Sequence, residues 1–195
     1  SNQMGCDGDR LYFDGSAIIS LNGHLLSQSP QFSVKEVEVI VATVDLDLIQ
    51  ILRGNRPSYT NQSARANQLF PFQYTRINVS DVKLCHYNLL EIPVINGEIE
   101  PFYHAQEREI GLGPALWMWD YLRKCGAGGF YIPLSGGLDS CSCALIVYTM
   151  AHFLAENSKI PQVKKDLIRV LGLRDSSEKD IDAIICDAKQ LTNRL

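Results

Sequence analysis

Between Phe130 and Met150 the chain reads FYIPLSGGLDSCSCALIVYTM, and the stretch from Ser135 to Ser140 carries the residue types that could do chemistry. Gly136 and Gly137 have no Cβ, so the backbone can turn sharply and aim successive N–H groups at one anion. Free N–H groups at the start of a following helix add to that attraction. Ser135 and Ser140 each supply a hydroxyl for phosphate oxygens. Asp139 narrows the choice of anion. A carboxylate beside a polyphosphate is repelled unless a cation lies between them, and Mg²⁺ is commonly shared between carboxylate and phosphate. The expectation is an ATP site with Asp139 as a Mg²⁺ ligand. It differs from the common P-loop, which has a Lys after its last Gly; here Leu138 and Asp139 follow. The competing interpretation is a surface turn with Asp139 as a helix cap. Average residue usage gives S-G-G-x-D-S a chance occurrence on the order of 10⁻⁴ to 10⁻³ in a chain this long.

Such a turn needs a strand before it and a helix after it. Phe130 to Leu134 reads as the strand, and about Cys141 to Glu156 as the helix. Upstream, GLGPALWMWDYLRKCGAGGF predicts another helix. Pro114 would sit in its first turn, Leu116, Trp117 and Trp119 on its apolar face, Lys124 near its end and Gly126 past it. A charged helix is expected from about Glu178 to Asn193, with Ile181, Ile184, Ile185 and Ala188 in register. Helix, strand, turn and helix in succession indicate a doubly wound α/β unit over residues 110–195. Ligands bind such units beyond the carboxyl ends of the strands, where Ser135 to Ser140 fall.

The first part, residues 1–53, is rich in strand signals. Leu11 to Phe13, Ser16 to Leu21 and His24 to Gln28 are separated by Asp14-Gly15 and Asn22-Gly23, which predicts an antiparallel meander. A further strand is expected in Val37 to Ile49. Its apolar stretch Val39 to Val44 should be covered on both faces. With no covering helix expected in the first fifty residues, this part reads as the end of a larger layered domain. Residues 54–109 read as a linker: a polar surface loop in RGNRPSYTNQSARANQ, a strand from Arg76 to Cys85, then extended chain with an Asn96-Gly97 turn.

The 195 residues fit one domain or pieces of two, and 46% hydrophobic with 21% charged residues is ordinary for a globular protein. A net charge of -4 argues against a broad nucleic-acid face. The sequence gives no expectation of a membrane span or a signal peptide, and a cytoplasmic location is expected. Cys6, Cys85, Cys125, Cys141, Cys143 and Cys186 show no metal or redox spacing and are expected to be reduced thiols used in packing, Cys141 and Cys143 included.

The string SGGLDS resembles the signature of the ATP pyrophosphatases, which split ATP to AMP and pyrophosphate. The flanks resemble one family among them. NQMGCDGDRLYFDGSAIISLNGHLLSQSPQF, Asn2 to Phe32, is similar to the last strands of the nitrilase-like glutaminase domain of eukaryotic-type glutamine-dependent NAD synthetases. Gly111 to Ser140 is similar to the opening of their synthetase domain. The resemblance implies an α/β chain: the end of a nitrilase-like αββα sandwich, a linker, and the start of a doubly wound parallel-sheet adenine nucleotide α-hydrolase-like domain. It implies ATP, deamido-NAD and glutamine as substrates, with Mg²⁺ as cofactor. It also implies adenylation of a nicotinate carboxylate, attack by ammonia, and a homo-oligomer when full length. Carried over by position, Pro133, Leu134, Ser135, Gly136, Gly137, Leu138, Asp139 and Ser140 form the ATP segment. Ser135 takes the catalytic role and Asp139 the metal.

The family's glutaminase nucleophile, base and lysine normally precede the block that starts this chain, so no glutaminase nucleophile is expected here. Cys6 leads into a loop and a strand rather than a strand-to-helix elbow and is expected to be structural. Asp7, Asp9 and Arg10 are expected to serve turn chemistry, with a pocket or subunit surface as the alternative. His24, His86, His104 and His152 show no ligand spacing, and Trp117 and Trp119 are expected to bury against a sheet. The rival activities are another ATP-pyrophosphatase amidotransferase, such as GMP synthetase, and a non-catalytic nucleotide-binding module.

Overall fold

The computed structural model describes residues 1–69, 75, 77–82 and 94–195. In chain order these form β1 (Met4–Cys6), β2 (Tyr12–Asp14), β3 (Ile18–Leu21), β4 (His24–Gln28), α1 (Asp47–Gly54), α2 (Pro57–Leu69), α3 (Gln106–Cys125), α4 (Leu138–Glu156), α5 (Pro161–Val170), α6 (Glu178–Ile185) and α7 (Ala188–Thr192). They divide into two compact units. One is Ser1–Ile18 with Gln28–Ile40 and Pro101–Leu195; the other is Ile19–Ser27 with Val41–Glu100.

The first unit is a helical core with a small strand pair. α3 buries Leu112, Ala115, Leu116, Trp119 and Leu122, and α4 buries Val147, Met150, Ala151 and Leu154, both at helical three- and four-residue spacing. Val163 and Leu167 from α5, Ile185 from α6 and Leu191 from α7 complete the core without solvent contact or nearly so. α3 starts earlier than the sequence predicts. Ala105 is its N-cap, Glu107 and Glu109 occupy its first turn, and Pro114 lies inside it. Acidic residues near the positive end of the helix favour that earlier start. Gly126 ends α3 in the left-handed conformation, φ 73°, as predicted.

α4 begins at Leu138 rather than near Cys141, directly after Gly137 as N-cap. It is long and apolar enough to cross a membrane by length and composition, which the sequence expectation did not anticipate. Here Met150, Ala151 and Leu154 serve as core residues. The expected helix from Glu178 to Asn193 is two helices, because Asp187 caps a new one by accepting from the N–H groups of Lys189 and Gln190.

Two caps carry testable consequences. The Ser177 hydroxyl accepts the Asp180 N–H at 3.3 Å at the start of α6. Ser177→Ala should therefore lower stability by about 1 kcal/mol, read as a lower denaturant midpoint with unchanged slope. At α7 the Gln190 and Lys189 backbone N–H groups, with the Gln190 side chain, hold the Asp187 carboxyl below its ordinary value. A depressed folded-state pKa makes this stabilisation complete above the unfolded value of about 3.9 and progressively lost as pH falls through the folded value. Asp187→Asn should flatten that part of an acid titration of stability while leaving the neutral limb parallel to the parent.

The strand predictions hold in part. β1 pairs antiparallel with β2, Met4 opposite Asp14 and Cys6 opposite Tyr12, a pairing the sequence did not suggest. β2 does not continue into a meander. Gly15 and Ser16 both have positive φ, 82° and 57°, which turns the chain away, and Gly15 bridges Gln31 instead. β3 and β4 form a separate two-stranded sheet around Asn22-Gly23, φ 55° and 95°, the positive pair a tight hairpin turn requires.

Phe130–Leu134 is unpaired among the described residues, and the two sheets described are both antiparallel. A strand exists only with a neighbour to take its N–H and C=O groups. The Phe130 N–H finds the Leu195 carbonyl, and Tyr131 is left 93% exposed.

The predicted strand Val37 to Ile49, which begins in the first unit and ends in the second, gives irregular chain followed by α1, and Val39 and Val41 are 78% and 81% exposed rather than covered. The predicted polar loop after Gly54 is mostly helix α2. Pro57 at its first position supplies a fixed φ suited to a helix start, and Gln62, Ala64, Arg65 and Ala66 favour continuation. Of the predicted strand Arg76 to Cys85, residues 77–82 carry a turn at Ser80 and Asp81; the rest, with Cys85 and His86, lies outside the described residues. Asn96 lies in irregular chain and brackets Thr43: its N–H donates to the Thr43 carbonyl at 3.0 Å, and its side-chain oxygen accepts the Thr43 N–H at 2.7 Å.

Candidate functional site

The turn from Ser135 to Ser140 joins the unpaired extended segment to α4, and Gly136 makes it possible. Its φ of 80° is a conformation that side-chain-bearing residues rarely adopt. Gly137 then returns to extended backbone, φ −80° and ψ 164°, and serves as N-cap with no side chain closing the helix end. The first N–H groups of a helix have no intrahelical acceptor. With no side-chain cap, those of α4 remain open to an external anion.

The side chains of the turn converge. Ser135 Oγ and Ser140 Oγ lie 3.2 Å apart across it. The Gly137 N–H points to Ser135 Oγ over a long 3.4 Å, and the Ser140 hydroxyl donates to the Gly137 carbonyl at 3.1 Å. Both hydroxyls are therefore placed by the turn itself. Asp139 sits in the first turn of α4, exposed to solvent, and Pro133, Leu134 and Leu138 flank the turn, also exposed. Among the described residues no cluster of three or more His, Cys, Asp or Glu could hold a metal, so Asp139 stands as a single carboxylate.

The other candidate residues have structural places. Asp7 Oδ1 accepts the N–H groups of Asp9 and Leu11 at 2.9 and 3.0 Å, the turn chemistry expected of it. Asp9 and Arg10 line a cavity of about 420 Å³ with Tyr12, Pro114, Trp117 and Met118. Trp119 has 0% exposure and packs among helices rather than on a sheet, and Trp117 stacks on Tyr121 at 5.1 Å. His24 faces Glu98, His152 faces Glu156, and His104 packs edge-on to Phe102, in keeping with the absence of ligand spacing. Among the described thiols only Cys6 is buried. Cys125, Cys141, Cys143 and Cys186 are exposed, which corrects the expectation of packing. For Cys141 and Cys143 the reason is that the first turns of α4 project beyond the core.

Asp120 and Arg123 on α3 carry no local sequence signal of function, and Lys124 reads from the sequence only as a residue near the helix end. Asp120 is buried, accepts the Cys6 N–H at 3.1 Å and pairs with Arg123. Its burial alone was legible, since Asp120 follows Leu116 by four residues and so falls on the buried arc of α3. Burial pushes the nearby Tyr12 phenol well above its ordinary value, and the Asp120 charge adds to that.

No protein-family model matches the chain. Individual proteins do. The chain is 43% identical over 174 residues to the glutamine-dependent NAD(+) synthetase of Saccharomyces cerevisiae, which covers 87% of this chain and 24% of that protein. It is 45% identical over 156 residues to the human synthetase, covering 80% of this chain and 21% of that protein. The chain is homologous to one segment of the glutamine-dependent NAD(+) synthetases. The synthetase of Oryza sativa subsp. indica matches over the whole of this chain, at 39% identity over 198 residues and 25% of its own length. The chain thus spans about a quarter of the length of the curated NAD(+) synthetases it matches.

Proposed function

We propose that this chain is the stretch of a glutamine-dependent NAD(+) synthetase in which residues 1–53 end the nitrilase-like amidase domain, 54–109 link, and 110–195 begin the ATP-pyrophosphatase domain. The turn at Ser135–Ser140 carries the assignment: left-handed Gly136, an uncapped α4 and the Asp139 carboxylate together suit a nucleotide triphosphate. In this reading the parallel sheet of the second domain gains its strand Phe130–Leu134 when neighbouring strands are present. The protein is a cytoplasmic homo-oligomer when full length and needs neither nucleic acid nor a membrane.

The reaction is amidation of deamido-NAD. Its nicotinate carboxylate attacks the α-phosphorus of ATP and pyrophosphate leaves. Ammonia from glutamine then attacks the acyl carbon, giving NAD and AMP. Backbone N–H groups from Gly136 to Ser140 face the charge that grows on the departing pyrophosphate, where fixed donors act most strongly. Ser135 and Ser140 lend hydroxyl donors from converging positions. Asp139 is the residue that would hold Mg²⁺, which would supply positive charge between the carboxylate and the phosphates. Pro133, Leu134 and Leu138 set the approach of the chain to the turn. Mass-spectrometric detection of NAD from deamido-NAD, ATP, Mg²⁺ and glutamine by the full-length protein tests this reading. Its absence, with GMP formed from the corresponding substrates, would assign the turn to a different amidotransferase.

A further inference from the structure

Asp120 is 6% exposed, and one partner from the far end of the sequence and two from its own helix close on it. The Cys6 N–H donates to Oδ2 at 3.1 Å. The Arg123 guanidinium donates to Oδ1, and Lys124 Nζ lies 3.9 Å from Oδ2. Lys124 Nζ also donates to the Cys6 carbonyl at 2.9 Å, so Asp120 and Lys124 hold both polar backbone groups of Cys6. Arg123 is braced in turn. It faces Asp166 of α5 at 3.5 Å and lies over the Trp119 ring at 5.4 Å, and its carbonyl accepts from Arg169 at 3.2 Å. Gly5 fits the same contact, because its φ is 99° and a Cβ there would overlap Asp120 Oδ2.

A buried carboxylate persists only when paired and hydrogen-bonded, and in some proteins such groups fix register where apolar contact would allow sliding. We propose that Asp120 is a positioning residue that, with Lys124, clasps the Gly5–Cys6 backbone to α3 and so sets the amidase-derived strand pair against the helix leading to the nucleotide turn. The inference rests on the functional reading above and extends it. Ammonia made in one half is used in the other, and the clasp fixes two segments assigned to those halves.

The test compares two nitrogen sources in the full-length protein. With glutamine, Asp120→Asn should raise glutamate released per NAD formed by about tenfold, since misplacing remote groups by about 1 Å can reduce a rate on the order of a hundredfold. With saturating ammonium chloride, NAD formation should stay near that of the parent. Gly5→Ala intrudes on the clasp from the opposite side without changing charge and should give the same split. If Asp120→Asn fails to fold, Lys124→Met, which removes only the half-exposed arm, supplies the measurement. A variant that loses glutamine-driven and ammonia-driven synthesis equally, or leaves the glutamate-to-NAD ratio unchanged, overturns the positioning role alone. A parent protein that makes NAD from neither source overturns the functional reading and this inference together.

Discussion

Asp139→Asn in the full-length protein is expected to lower ATP-dependent NAD formation by on the order of a hundredfold or more, because charge stabilisation by a bound metal is worth several kcal/mol. Glutamine hydrolysis should remain largely intact. The asymmetry follows from position. Asp139 lies in the first turn of α4, exposed and with no metal-binding cluster around it among the described residues, so its removal disturbs no core packing. Asparagine keeps the size and loses the charge. Pyrophosphate release and glutamate release measured on the same preparation separate the two half-reactions, and equal losses in both would remove Asp139 from the nucleotide site.

Trp119→Ala is expected to be the most destabilising single truncation, at roughly 3–5 kcal/mol. The side chain has no solvent exposure, is the largest of the fully buried residues, and carries the Arg123 guanidinium over its ring at 5.4 Å. Truncation would leave a cavity among α3, α4 and their neighbours and would also loosen the arginine that braces Asp120. Against total stabilities of about 5–15 kcal/mol, the loss takes a large share. Trp119 Nε1 has no hydrogen-bond partner among the described residues, so Trp119→Phe sacrifices no bond there and should cost distinctly less. Denaturant midpoints with equal slopes would show this order; an alanine variant as stable as the phenylalanine variant would contradict it.

The site was more legible than the frame around it. Two glycines, flanking serines and a carboxylate before an apolar run constrain backbone conformation locally, and Gly136 has the positive φ that such a turn demands. The apolar faces of α3 and α4 were legible for the same reason, since helical spacing is a local property. What failed depended on partners. Val37 to Val44 has the composition of a buried strand, yet composition does not provide a neighbour, and the segment is irregular in the structure. Phe130 to Leu134 is a similar case, with its first N–H diverted to Leu195. β1 was hidden because Gly5, at φ 99°, interrupts the usual strand pattern. The clasp at Asp120 joins residues 114 positions apart, which no local periodicity records. The helix from Pro57 and the break before Ala188 were different: Pro57 and Asp187 are ordinary helix-start residues, and polar surroundings masked the first while a continuous isoleucine pattern masked the second.

A crystal structure of the full-length protein with a nonhydrolysable ATP analogue and Mg²⁺ tests the central assignment most directly. Phosphate oxygens should rest on the amides between Gly136 and Ser140, with the metal bridging them to the Asp139 carboxylate. Nucleotide bound elsewhere with this turn empty, or Asp139 directed away from the phosphates with no metal beside it, would contradict the account.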